Sequence, residues 1–292
     1  VNRFDVDVSG GRLAVWHTGA PLGTAPVVLA AHGITANAMS WLAVARAVGD
    51  RFSFVAADLR GRARSNGVTG PFGMAVHRDD QLAILDALDV ERALLVGHSM
   101  GAYVMARLAA DHPDRARAVV LVDGGLTLPV PPDLDVQNFL DAFLGPAIAR
   151  LRQMFASREA YHDFWRAHPA FGNDDVLDAD LVAYTDHDLE GVPPTCRSSV
   201  REAAVRADGA EVHTAGEPAH RLTMPAVLLR APRGLLDEPN PMIPADLAAT
   251  WQAEDPDQRD VVEVPDVNHY TIVLGRGCAT VADAIVRYGA HP

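Results

Sequence analysis

The sequence predicts an α/β protein: a mostly parallel, doubly wound sheet with helices on both faces, interrupted once by a long helical insertion. Three observations predict it. Short, continuously apolar runs recur along the chain, as strands covered on both faces require. Segments with helical periodicity fall between those runs, so strand and helix alternate. After Asp123 the alternation stops for about one hundred residues before another buried run begins, far more than the dozen or so residues a crossover needs.

Taken in order, the N-terminal stretch Phe4–Val8 and the stretch Arg12–Trp16 alternate like an antiparallel hairpin turning at Ser9-Gly10-Gly11. Buried strands are expected at 27–31, 52–57, 93–96, 118–122 and 226–229, and a last one at 261–264. Helices are expected at 39–48, 76–88, 100–110 and 279–288. Four more, at 136–155, 158–167, 179–189 and 198–207, fall inside the interruption. That interval also holds Phe139, Phe143, Leu144, Phe155, Tyr161, Phe164, Trp165 and Phe171. It is read as a cap over the carboxyl edge of the sheet, spanning 126–214 and led into by Pro129-Val130-Pro131-Pro132. Residues 1–125 and 215–292 then form the core.

Composition removes several classes of function. The formal charge is −13, and all 25 basic residues are arginine. An acidic surface repels phosphate backbones, so nucleic acid is not an expected partner. With no lysine, Schiff-base chemistry and a P-loop are excluded. Cys196 and Cys278 stand apart and read as packed thiols, not as a zinc site. No stretch reaches the roughly 20 apolar residues of a membrane span. The alternating start is unlike a secretory signal, so a cytoplasmic location and no membrane partner are expected.

The chemical signal is Gly97-His98-Ser99-Met100-Gly101, directly after a buried run and directly before a helix. A strand that turns into a helix within one residue forces that residue into a strained conformation. Its neighbours two positions away must be small, and the hydroxyl stands exposed at the positive helix end. The N–H of Met100 then points to where an oxyanion would form. A serine hydroxyl needs a base. Among 12 histidines, His269 follows the last strand and precedes the C-terminal helix. His98 is expected to point away from the serine and to be structural. His162, His168, His187, His213 and His220 are assigned to the insertion as solvated or pocket-lining groups.

With these motifs the chain resembles the α/β-hydrolase fold family, in its branch of capped, single-domain serine hydrolases of esterase or lactonase type. The resemblance runs end to end and implies an eight-stranded sheet. His32-Gly33 is similar to the family's oxyanion loop, which makes Ile34 N–H the second donor and gives His32 the role of shaping the loop. Asp58-Leu59-Arg60-Gly61-Arg62-Ala63-Arg64-Ser65 resembles its D-x-R-G-x-G-x-S turn, with Ala63 where glycine is common. Asp266-Val267-Asn268-His269 resembles the segment that carries the catalytic histidine. The triad acid stays open between two residues. Asp237 follows the strand at 226–229, where most relatives place it, although several residues late. Asp123 ends the strand at 118–122, as in haloalkane dehalogenases, and could equally cap the Gly124-Gly125 turn. The lean is to Asp237.

The implied reaction is hydrolysis of a carboxylic ester or lactone of a small, largely apolar molecule through an acyl-enzyme, with no metal or cofactor. His32, Trp41 and Tyr103 are candidate pocket residues, the last two serving equally as core. Competing readings are carbon–carbon bond hydrolysis, thioester cleavage or acyl transfer on the same serine, and a ligand receptor that keeps the triad for binding. Monomer and homodimer are both compatible with the sequence.

Overall fold

The computed structural model describes residues 1–128, 135–172 and 176–290, without the side chains of 136, 137 and 139–144. Pro129-Val130-Pro131-Pro132 lies outside the described residues, as do the side chains of Phe139, Phe143 and Leu144. Eight strands form one sheet: β1 (Asn2–Val8), β2 (Gly11–Gly19), β3 (Val27–Ala31), β4 (Ser53–Ala57), β5 (Ala93–His98), β6 (Ala116–Val122), β9 (Ala226–Arg230) and β10 (Arg259–Glu263). The spatial order is β1-β2-β4-β3-β5-β6-β9-β10. β2 runs antiparallel to β1 and β4, and every other neighbour pair is parallel. The two short strands β7 (Leu189–Glu190) and β8 (Arg197–Ser198) pair with each other outside this sheet.

Continuous hydrophobicity in the central strands has a plain cause: both faces are covered. In β5, Leu94 and Val96 pack into one apolar cluster while Ala93 and Leu95 pack into the other. In β6, Ala118, Val120 and Val122 face the first cluster, and Val119 and Leu121 face the second. Each such valine or leucine contributes about 1.5–3 kcal/mol by leaving water. Helices α1 (Leu42–Val48) and α10 (Cys278–Gly289) supply one covering layer. The other comes from α2 (Met74–Ala87), α3 (Met100–Asp111) and α8 (Ala245–Glu254).

The interval between β6 and β9 holds α4 (Val136–Arg152), α5 (Arg158–Arg166), α6 (Asp178–Asp188) and α7 (Glu202–Val212). Two of these helices differ from the sequence reading. The first of these helices ends at Arg152, because Phe155 pairs its backbone with Cys196 instead. α7 starts four residues later than expected, since Arg197–Ser198 is drawn into the β7–β8 ladder. Outside the interval, α8 and the short α9 (Thr271–Leu274) were not anticipated. The parallel β9–β10 pair demands a crossover between them, and α8 is that crossover, burying Ala248 and Trp251 one turn apart. Among the described residues no helix is long and apolar enough to cross a membrane.

Candidate active site

Ser99 occupies the turn between β5 and α3 with φ 53° and ψ −122°, a region that side-chain-bearing residues seldom adopt. The tightness of the turn explains its glycines. A Cβ on Gly97 would overlap the carbonyl of Gly101, and one on Gly101 would overlap that of Ala31. Ser99 is tied down by its N–H to the Val122 carbonyl at 2.9 Å and by its own carbonyl, which accepts from Ala102 N–H at 3.0 Å. Met100 N–H lies in the first turn of α3, where no intrahelical acceptor exists.

The loop after β3 is held just as firmly. His32 is fully buried. Its Nε2 accepts from Leu59 N–H at 2.9 Å, so the proton is on Nδ1, which donates to Gly33 O at 2.8 Å. Burial pushes its pKa down to about 3. Arg62 Nε donates to Ile34 O at 3.0 Å, fixing the plane of the peptide that follows the loop. Arg62 itself pairs with Asp208 of α7 at 2.6 Å. Asp208 also accepts from His77 Nε2 at 2.9 Å and from Gly73 N–H at 2.7 Å. Burial alone would raise this carboxyl, but the Arg62 charge, followed by that of His77, holds it well below the usual carboxylate range.

His269 is 3% exposed, and its Nδ1 lies 2.7 Å from Asp123 Oδ2. Asp123, at the end of β6, is 1% exposed, and its Oδ1 accepts from Ala231 N–H at 3.0 Å. Gly124 lets this strand end press against the serine turn: a Cβ there would overlap the Ser99 backbone. The lean toward Asp237 is therefore corrected. Asp237 is clasped by Arg233 at 2.7 and 2.8 Å and takes a further bond from Asn268 Nδ2 at 3.1 Å. The loop after β9 folds back on itself through that clasp, which keeps the carboxylate away from the imidazole.

His98 has the structural part expected of it, donating from Nε2 to the His269 carbonyl at 2.8 Å. Sequence reasoning missed this link between the residue beside the serine and the backbone of the distant histidine. Of the pocket candidates, Tyr103 borders Ser99 and donates its hydroxyl to Leu126 O at 2.8 Å. Trp41 and His32 are corrected to core positions. Trp41 is 1% exposed and stands edge-on beneath His98, and both His32 nitrogens are spent on the backbone. Among the insertion's histidines, His187 reaches Asp58 at 2.7 Å and His162 reaches Asp186 at 2.7 Å. His220 pairs with Glu254 at 2.7 Å, whereas His213 and His168 border cavities. Cys196 and Cys278 are both free thiols.

Ser99 opens onto two small chambers. One, of about 20 Å³, is walled by Ile34, Met100, Tyr103, Leu128, Val212 and Met242. The other, of about 60 Å³, contains both Ser99 and His269 and is closed by Ile34, Tyr184, Leu235 and Tyr270. A hydroxyl on a strained turn and an imidazole fixed by a buried carboxylate thus face one apolar space. Gly33, Ile34 and Thr35 of the loop after β3 border it too.

The family model for the alpha/beta hydrolase fold matches residues 26–273. Among characterised and uncharacterised sequences, the chain is 33% identical over 103 residues to "Uncharacterized protein Rv2715" of Mycobacterium tuberculosis, covering 35% of this chain and 30% of that one. It is 36% identical over 110 residues to "Putative carbamate hydrolase RutD" of Klebsiella pneumoniae, covering 37% and 41%. The chain thus matches less than half the length of either relative. Among solved structures it is similar to E-2-(acetamidomethylene)succinate hydrolase, with TM-score 0.79 and 23% identity over 98% of both chains. The thioesterase domain of a curacin pathway gives TM-score 0.77 and 17% identity over 98% and 99%. These two likenesses concern the fold. With the family model covering most of its length and the sheet order given above, the chain belongs to the alpha/beta hydrolase fold family.

Proposed function

We propose that this chain is a serine hydrolase that cleaves a carboxylic ester or lactone of a small, largely apolar molecule. The observation that carries the reading is the buried Asp123–His269 pair, bordering the same space as a serine on a positive-φ turn. Ser99 Oγ attacks the carbonyl carbon while His269 Nε2 takes its proton. Asp123 holds the imidazole in the tautomer with its proton on Nδ1 and stabilises the cation that forms. The N–H groups of Ile34 and Met100 receive the oxyanion, each worth about 3 kcal/mol in the transition state. His269 then protonates the leaving group, and water reverses the sequence on the acyl-enzyme. In this reading the insertion acts as the cap, contributing Tyr184, Val212 and His213 to the chamber walls.

Size supports a small acyl group. One ordered water needs roughly 10–15 Å³ on this measure, so the chambers beside Ser99 hold about one water and a few waters respectively. The test is hydrolysis of p-nitrophenyl acetate followed by stopped flow. A burst of p-nitrophenol equal to the enzyme concentration is expected, and Ser99→Ala should lower kcat by roughly 10⁴–10⁶-fold with the fold intact. Equal turnover by Ser99→Ala would overturn the reading. Stabilisation by such esters without any turnover would instead favour a receptor.

A further inference from the structure

Behind the chamber that contains Ser99 and His269 lies a larger cavity of about 380 Å³, bordered by Arg150, Phe164, Trp165, His168, Leu236 and Glu238. Ala147, Leu235 and Tyr270 border both spaces, so the two adjoin. We propose that this cavity binds a carboxylate carried by the substrate, with Arg150 as its cationic anchor. The proposal rests on Ser99 being the nucleophile and adds the substrate class.

Arg150 carries a charge in a place where charge is expensive. Its side chain is only 7% exposed, at the carboxyl end of α4. The guanidinium lies 4.9 Å over the Trp165 ring. One nitrogen, Nη1, donates to Tyr161 Oη at 3.0 Å and to Asp188 Oδ2 at 3.3 Å. The other, Nη2, is buried with no acceptor among the described residues.

Asp188 is a diluted counter-ion. Its Oδ1 already accepts from the hydroxyls of Ser198 and Ser199, at 3.0 and 3.1 Å, and its Oδ2 also accepts from the Tyr161 hydroxyl. The buried guanidinium keeps a spare donor, and its planar fork matches a carboxylate.

A second donor borders the same cavity. His168 Nδ1 accepts from Ala170 N–H at 3.2 Å, which puts the ring proton on Nε2. Burial, then the Arg150 charge, lowers its pKa to about 4, so it is neutral at pH 7 and donates without adding charge. Much of the remaining wall is aromatic and aliphatic. Glu238 is the opposing carboxylate; it is half-exposed and engaged by Leu236 N–H at 2.6 Å. The assigned substrate class is therefore an ester or lactone with an apolar spacer ending in a carboxylate.

Paired substrates test this. The p-nitrophenyl monoesters of glutaric and adipic acid carry the carboxylate, and p-nitrophenyl valerate is the neutral counterpart. The wild type should prefer an anionic ester over the neutral one by at least 10-fold in kcat/KM, mostly through KM. Arg150→Met should reduce that ratio to near one, and Arg150→Lys should leave it in between. A wild-type ratio near one, or a ratio unmoved by Arg150→Met, overturns the proposal. Because Arg150→Met leaves Asp188 unpaired and could impair folding, calorimetry on Ser99→Ala supplies an independent arm. Glutarate should bind at least 10-fold more tightly than glutaramide, and equal affinities overturn the proposal. If no ester is turned over but glutarate binds selectively, the nucleophile reading fails while the carboxylate site stands.

Discussion

At the scale of single residues, the site turns on which carboxylate serves His269. Asp123 and Asp237 each follow a strand that ends at the same edge of the sheet. Local sequence cannot rank them, because the choice is made by contacts hundreds of ångströms of extended chain apart. Asp237 is diverted by Arg233, four residues earlier, into a surface pair. Such pairs are worth up to about 1 kcal/mol and leave the carboxylate outside the reaction space. A legible signal did exist in Asp123-Gly124-Gly125: a glycine is needed there so that the strand end can touch the serine turn. The two residues predict opposite outcomes. Asp123→Asn should lower kcat by about 10⁴-fold, since the amide favours the wrong imidazole tautomer. Asp237→Asn should change kcat by less than about 3-fold. Ester hydrolysis at pH 7.5 with both purified variants decides it, and comparable losses would reject the assignment.

At the scale of elements, the serine turn was fully legible because its constraints are local and steric. Five consecutive residues carry the whole argument, and the strand and helix on either side are apolar enough to read. The turn after β4 shows the complementary case. Ala63, at the second glycine position of the D-x-R-G-x-G-x-S turn that this segment resembles, adopts φ 40° while 2% exposed. A left-handed backbone costs a side-chain-bearing residue about 1–2 kcal/mol, partly offset by the greater chain entropy that glycine loses on folding, about 0.5–1 kcal/mol. Ala63→Gly should therefore stabilise the protein by about 0.5–1 kcal/mol, read as a higher urea midpoint at constant m. A lower midpoint would mean that the buried methyl group packs better than the strain costs. The insertion was legible only in outline, because its registers depend on partners. The β7–β8 ladder and the Arg62–Asp208 clasp set where α7 begins and how it faces the loop after β3.

At the scale of the whole molecule, alternating buried strands and helices made the doubly wound sheet readable, whereas α8 was missed because only Ala248 and Trp251 mark its inner face. The sequence likewise shows 12 histidines without saying which are held neutral. Among the described residues, His32 and His98 are buried and neutral, and the half-buried His168 is neutral as well. Burial pushes His32 down to about 3, His168 down to about 4, and His98 well below the ordinary value. In the unfolded chain each titrates near 6.5. Between about pH 6.5 and 4 the unfolded state thus binds protons that the folded state refuses. Stability is fully present above 6.5 and falls as pH drops, by up to about 1.4 kcal/mol per pH unit for each group. The depressed carboxyls of Asp58 and Asp208 add a further loss only below about pH 4, where their unfolded forms protonate. Two effects oppose this trend: burial raises the Asp80 carboxyl, which binds its proton more readily folded than unfolded, and approach to the isoelectric point near 5.3 relaxes repulsion within a chain of charge −13. That repulsion is between surface charges, which 0.15 M salt screens beyond about 8 Å, whereas the imidazoles are out of reach of salt. The buried histidines therefore win. Urea midpoints measured in 0.15 M NaCl should be level from pH 7 to 8.5 and drop steadily from 6.5 to 4.5, with m unchanged. A level profile down to pH 4.5 would mean that these imidazoles take up protons in the folded protein.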